Sequence, residues 1–297
     1  MDAILRWGVD VVLWLQQASP TLDALFKTLT FLGSEEFYLL LLPFVYWSVD
    51  RVVGMRLIVL LSFSSLANTT VKLLAAQPRP FAYDARVTAI TTETSFGFPS
   101  GHTQNTVAVL GYLGSRVRTR WFWFVAGVLM LGVPLSRIYL GVHFPTDVLG
   151  GYVIGALVLW LFLRFWKPIE RWFCQLGLVW QLTIATFAPL ALLAVRASES
   201  VTTGVGAMVG MGVGLVLERR WVRFETAGPI LHRALRLLIG LVVLVGLWAG
   251  LKSLFAGVDP ALVFRFVRYA LVGIWGALGA PWLFVRVKIA GQSTMPA

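Results

Sequence analysis

Charge is what this chain has least of. Only 13% of its 297 residues are Asp, Glu, Lys or Arg, against roughly 25% in a soluble globular domain. With 58% hydrophobic residues and a mean hydropathy of +0.79, it lacks the polar surface to face water all round. That excludes a soluble globule and predicts a polytopic membrane protein. Acids are the scarcer sign: 14 Asp and Glu against 25 Lys and Arg leave a net charge of +11. In a soluble chain such an excess points to nucleic acid. Here it reads as loop arginines that set topology, and no nucleic-acid partner is expected. The single cysteine, Cys174, excludes an internal disulfide. The N-terminus carries Asp2 and Asp10 and no small-residue cleavage pattern, so no signal peptide is expected. Its apolar positions Ile4, Val11, Val12 and Leu15 recur at helical spacing, which predicts a helix lying at the membrane interface.

Long apolar runs make up most of the rest. A spanning helix needs about 20 apolar residues. The sequence predicts nine spans, near 35–50, 54–74, 101–116, 120–139, 146–165, 177–195, 201–217, 233–251 and 262–285. The fold class is therefore an all-α, polytopic transmembrane helix bundle. Pro43 predicts a kink in the first span, and Ser34 in "GSEE" reads as its N-cap. Arg51 and Arg56, Arg116 to Arg120, Arg164 to Arg171, Arg219 to Arg223, and Arg286 with Lys288 fall on one side if the spans alternate. The positive-inside rule makes that side cytoplasmic. The opposite face is extracytoplasmic, periplasmic or luminal.

Three polar islands end up on that opposite face. The second span closes with "KLLAAQPRPF", giving Lys72, Arg79 and Pro80; the third opens with "PSGH", residues 99–102. The fourth closes and the fifth opens with "SRIYLGVHFPTD", giving Ser136, Arg137, His143 and Asp147. Ionisable groups beside hydrocarbon mark function by default. Lys72, Arg79 and Arg137 are three cations with one nearby acid, Asp147, and a phosphate matches them. Arginine offers it a planar fork and lysine a point charge. A helix starting near Ser100 adds its free N–H groups, and Gly101 permits close backbone approach. Asp147, four residues after His143, is placed to hold one ring nitrogen and free the other to attack. His102 is then the acid for the departing oxygen. The cations already neutralise phosphoryl oxygens, so no metal and no cofactor is expected. Taken singly, these residues have ordinary readings: His102 as a structural helix start, Lys72 as a snorkelling side chain. His232, on the arginine-rich side, reads as solvated loop.

These motifs resemble the type 2 phosphatidic acid phosphatase superfamily, whose signature is K-x6-RP, PSGH and SR-x5-H-x3-D. All three stand complete, as Lys72…Arg79-Pro80, Pro99 to His102, and Ser136-Arg137…His143…Asp147. The resemblance covers roughly 35–165. It implies a six-helix phosphatase core with extra C-terminal transmembrane helices: interfacial helices over 1–34, the catalytic core over 35–174, and further spans over 175–297. It also implies metal-independent hydrolysis of a lipid phosphate through a phosphohistidine on His143, with His102 as acid. Lys72, Arg79, Ser100, Gly101 and Arg137 would hold the phosphate. The entry helix "LGSEEFYLLLLPFVYWSVD" is similar to that of sphingosine-1-phosphate phosphatases, yet phosphatidate, phosphatidylglycerol phosphate and polyprenyl pyrophosphate stay open as substrates. So do two other readings, a lipid phosphotransferase using the same intermediate and a phospholipid transporter or scaffold that binds without cleaving. The polar loop 81–98, with Tyr83, Asp84, Arg86 and Glu93, is either a lid over the site or an ordinary surface loop. Gly206, Gly210 and Gly214 predict close helix packing in the C-terminal part. Oligomeric state is not legible.

Overall fold

The computed structural model describes residues 2–195 and 197–293. It is all-α, 79% helix and 1% strand. The helices are α1 Asp2–Gln16, α2 Asp23–Phe31, α3 Glu35–Phe44, α4 Arg51–Ala75, the short α5 Pro80–Tyr83, α6 Gly101–Val117, α7 Arg120–Tyr139, α8 Pro145–Gln175, α9 Leu178–Val195, α10 Glu199–Leu217, α11 Ile230–Leu254, α12 Ala261–Ile274 and α13 Ala280–Arg286. Two short strands, β1 Phe224–Glu225 and β2 Gly291–Gln292, pair antiparallel.

Among the described residues, six helical stretches are long and apolar enough to cross a membrane, or seven if Asp23–Phe31 and Glu35–Val49 form one broken span. Three of the nine expected spans account for the difference. The first is bent by 46° from α2 and runs into a π-helical turn, Val45–Val49, just after Pro43; proline's missing N–H breaks the ladder there. The third, α6, has 17 residues and devotes one face to buried Thr103, Gln104 and Thr106. The sixth has too short an apolar run, Leu178–Ala194.

The chain forms two compact units, Met1–Leu39 with Leu57–Lys167, and Leu40–Arg56 with Pro168–Ala297. The contact-defined units change over at 39/40, 56/57 and 167/168, whereas the sequence places its boundaries at 34/35 and 174/175. Residues 1–34 join the first unit because α1 buries Leu5, Val9 and Val12 in one cluster with Val87, Ile138, Phe144 and Val148. Fully burying such a side chain contributes about 1.5–3 kcal/mol relative to leaving it in water. Ile4, Trp7 and Trp14 of α1 stay exposed. Residues 40–56 join the second unit, where Tyr46 Oη donates to the Ala277 carbonyl at 3.1 Å and Trp47 Nε1 to the Gly276 carbonyl at 2.9 Å.

In the second unit, α10 lies against α12 along its glycine stripe. A Cβ on Gly206 would sit 2.7 Å from the Phe266 carbonyl oxygen, and one on Gly214 2.8 Å from Ala277 Cβ. Arg51 pairs with buried Glu218 at 3.0 Å, and Arg56 with Glu170 at 2.8 Å. Fully buried Arg236 donates to the carbonyls of Glu225 and Thr226 at 3.0 and 2.7 Å. Several arginines on the side assigned to the cytoplasm thus also tie this unit together.

In the first unit, α8 meets the start of α6 through Gly151 and Gly155, where a Cβ would lie 2.7 Å from the carbonyl oxygens of Ser100 and Gln104 respectively. No side chain fits without moving α6 off α8. Gly151→Val is expected to destabilise the protein by about 1–3 kcal/mol. Thermal unfolding in detergent reads this as a lowered midpoint; an unchanged midpoint would show that the two helices are not in contact at Gly151.

Candidate active site

All the residues singled out from the three islands lie in the first unit. The stretch 136–147 shows how local rules aim them. Helix α7 ends in a Schellman turn: Gly141 N–H donates to the Ile138 carbonyl at 3.0 Å and Val142 N–H to the Arg137 carbonyl at 3.2 Å. Gly141 takes the left-handed backbone that this turn needs, with φ +76°. Pro145 then opens α8, a position where its missing N–H costs nothing. Asp147 Oδ2 reaches back to the Phe144 N–H at 2.9 Å, as an acid in the first helical turn does in a capping box. Between these signals Ile138, Tyr139, Leu140, Val142, Phe144 and Val148 are buried in two apolar clusters. With the apolar side chains anchored there, Arg137, His143 and Asp147 are turned toward one another's neighbourhood.

His143 is 1% exposed and fixed from both sides. Its Nδ1 lies 3.1 Å from Asp147 Oδ2, and its Nε2 lies 3.3 Å from an Arg79 guanidinium nitrogen. A guanidinium only donates, so Nε2 accepts and the ring proton sits on Nδ1, facing Asp147. Burial above all, then repulsion from Arg79, Arg137, Lys72 and His102, holds the imidazole well below the ordinary histidine pKa. The ring is neutral at neutral pH, with its Nε2 lone pair turned to the cations.

The two arginines are almost out of water, Arg79 at 4% and Arg137 at 2% exposure. Arg79 donates to the carbonyls of Ser95 (2.6 Å) and Val142 (2.8 Å), to Ser95 Oγ (3.0 Å) and to Glu93 Oε2 (3.2 Å). Arg137 donates to Thr30 Oγ1 at 2.6 Å and to Glu93 Oε1, while its buried Nε has no partner. Lys72 donates to the carbonyls of Phe96 and, at 3.4 Å, Gly97. The loop after α5 is therefore tied down across all three cations.

Ser100 caps α6, its Oγ accepting from the Thr103 hydroxyl at 3.0 Å, and its N–H donates to the Asp147 carbonyl at 2.9 Å. That bond locks the start of α6 to the start of α8. Gly101 and His102, the first two residues of α6, stay partly exposed. A buried polar relay fastens α4 behind them: Asn68 Nδ2 donates to the Pro99 carbonyl (3.3 Å) and Gln104 Oε1 (2.9 Å), and Gln104 Nε2 to the Ser64 carbonyl (2.6 Å).

Sequence reasoning missed four contributors. Gln77 Nε2 donates to Asp147 Oδ1 at 2.6 Å, so both carboxylate oxygens are held. Thr30, Ser95 and Asn68 were not singled out either. Gln77 alone had a signal, its place two residues before Arg79 in the first island. Among the described residues, no group of three or more His, Cys, Asp or Glu side chains is placed to hold a metal ion.

Comparison with known proteins places the chain in a family. A family model described as the PAP2 superfamily matches residues 53–171, and one described as PAP2 superfamily phosphatase, transmembrane extension, matches residues 202–292. Phosphatidylglycerophosphatase B of Bacillus subtilis (strain 168) is 31% identical over 168 residues, covering 51% of this chain and 79% of that protein. Lipid phosphate phosphatase delta of Arabidopsis thaliana is 31% identical over 179 residues, covering 55% and 43%. Sphingosine-1-phosphate phosphatase 2 of Homo sapiens is 32% identical over 152 residues, covering 49% and 38%. The chain thus spans less than half the length of the last two.

Gln77→Ala is expected to leave Asp147 Oδ1 buried and unpaired, at a cost of about 1–3 kcal/mol. Gln77→Glu, which sets a second carboxylate against the first, should cost more. Melting temperatures of the purified variants check the order; equal values for both variants and wild type would remove Gln77 from the account.

Proposed function

This chain belongs to the PAP2 superfamily, and on that footing we propose that it is an integral-membrane phosphatase. Its reaction is metal-independent hydrolysis of a lipid phosphate monoester or pyrophosphate, through a phosphohistidine. One observation carries the reading: a buried histidine whose Nε2 lone pair meets an arginine while Nδ1–H meets a carboxylate.

In this mechanism Lys72, Arg79, Ser100, Gly101 and Arg137 hold the non-bridging oxygens and neutralise the charge that spreads over them. His143 Nε2 forms a bond to phosphorus as the bond to the lipid oxygen breaks. Asp147 stabilises the imidazolium that results. His102, uncharged in the resting site and protonated as the phosphate dianion enters, gives that proton to the departing oxygen, then takes one from the water that attacks the phosphohistidine. The products are lipid alcohol and inorganic phosphate, and both histidines return to their starting states.

Two features support a lipid as the leaving group. The first turns of α8, beginning two residues after His143, expose Leu149 at 61% and Val153 at 68%. Helices of this length and apolarity are those of a multi-pass membrane protein. The charge bias of the loops supports an extracytoplasmic site, facing the headgroups of that leaflet.

Purified protein in EDTA is expected to release phosphate from at least one of a panel of sphingoid, glycerol and polyprenyl phosphates. His143→Ala, measured in protein that still shows a cooperative melting transition, should lower turnover by more than about 10^3-fold. A strict divalent-metal requirement, or full activity in the variant, contradicts the proposal. The depressed pKa of His143 adds a pH signature. The reactive form is the neutral ring, so the acid limb of kcat/KM is reached only when pH falls through the lowered value. After correction for substrate ionisation, that limb should lie below the ordinary histidine value of 6.5. A limb above 6.5 would mean the ring is not held neutral by its surroundings.

A further inference from the structure

The proposed mechanism does not use the carboxylate of Glu93, which touches two of its cations. It reaches in from the irregular segment between α5 and α6. One of its oxygens takes Arg79, at 3.2 Å, and the other takes Arg137. Each oxygen therefore meets a different guanidinium, as two oxygens of a bound phosphate would. The segment that carries it is pinned nearby, with Ser95 on Arg79 and Ile90 N–H donating to the Leu140 carbonyl at 3.1 Å. Glu93 itself remains 24% exposed, against 4% and 2% for its two partners. It has a way out to water, and they do not.

Charge decides what can replace it. With the histidines neutral, Lys72, Arg79 and Arg137 oppose the single carboxylate of Asp147, an excess of two positive charges. Glu93 cancels one of them. A phosphate monoester, or the terminal phosphate of a pyrophosphate, carries close to two negative charges and cancels both once Glu93 has left. If Glu93 stayed, a carboxylate and a phosphate would share one pair of arginines, and like charges so close exclude each other. A singly charged diester offers no more charge than the carboxylate it must displace.

Resting on the phosphatase reading above, we propose that Glu93 is an internal competitor for the phosphate site. It occupies Arg79 and Arg137 in the resting protein and yields to a doubly charged terminal phosphate. Singly charged diesters, which make up most of the surrounding bilayer, are kept out. Displacing the resident carboxylate weakens both kinds of anion alike, and the doubly charged one, drawn more strongly to the cations, is the one that still binds.

The test needs no turnover. Inorganic phosphate and dimethyl phosphate are titrated calorimetrically, in mildly alkaline buffer, into the full chain and its Glu93→Gln variant. Removing a competitor should tighten both anions by a similar factor, about tenfold. In parallel, hydrogen exchange of the wild-type segment 88–95 should speed up when phosphate is added, because Glu93 is released. This second arm decides the matter alone if the variant does not fold. Phosphate binding that is equal or weaker in Glu93→Gln, or exchange that is slowed or unchanged, overturns the competitor while leaving the anion pocket standing. No phosphate binding by either protein overturns the pocket as well.

Discussion

Everything in the first unit answers to two guanidinium groups held side by side, nearly out of water. Leaving either unpaired would cost several kcal/mol, so the surrounding chain is arranged as acceptors. Carbonyls of Ser95 and Val142, hydroxyls of Thr30 and Ser95, the Glu93 carboxylate and His143 Nε2 all converge on them. The same arrangement dictates the state of His143. A donor on one side and an acid on the other permit a single tautomer, and the burial and positive surroundings keep the ring uncharged. The neutral ring of His143 and the buried pair of guanidinium groups beside it are two consequences of one electrostatic constraint.

Local helix-end chemistry makes that constraint affordable in a membrane. The Schellman turn at Gly141, proline at the first position of α8 and the Asp147 contact to the Phe144 N–H satisfy the backbone through a tight reversal. Apolar residues between them are sunk into clusters with α1 and α2; the ring of Tyr139 stacks on Phe26 with centroids 4.1 Å apart, and its hydroxyl donates to Asp23 at 2.7 Å. Precise placement of the chemistry therefore rests on helices outside the three islands. Displacing α1 or α2 would loosen the turn that carries Arg137 and His143.

The islands were legible because ionisable residues stand out sharply against apolar runs, and because their spacing is rigid within each motif. The supporting contacts were not. Thr30 meets Arg137 across 107 positions of sequence, and nothing in an ordinary helix threonine announces that. Gln77 and Asn68 look like neutral polar residues near a span end. Span counting does not show that α6 carries a polar face; its Gln104 and Asn105 are satisfied by Ser64 and Asn68 of α4. The partner for the apolar face of the N-terminal helix, around Phe144 and Val148, was not legible because it lies more than a hundred residues away. Periodicity shows that a face is apolar but not what covers it.

The central claim is covalent and names an atom. Substrate labelled in its terminal phosphate, mixed with the protein and quenched in alkali within milliseconds, should leave acid-labile label on His143 at Nε2, the nitrogen turned toward Arg79. Turnover with no trapped label, or label on His102 or any other residue, would contradict it.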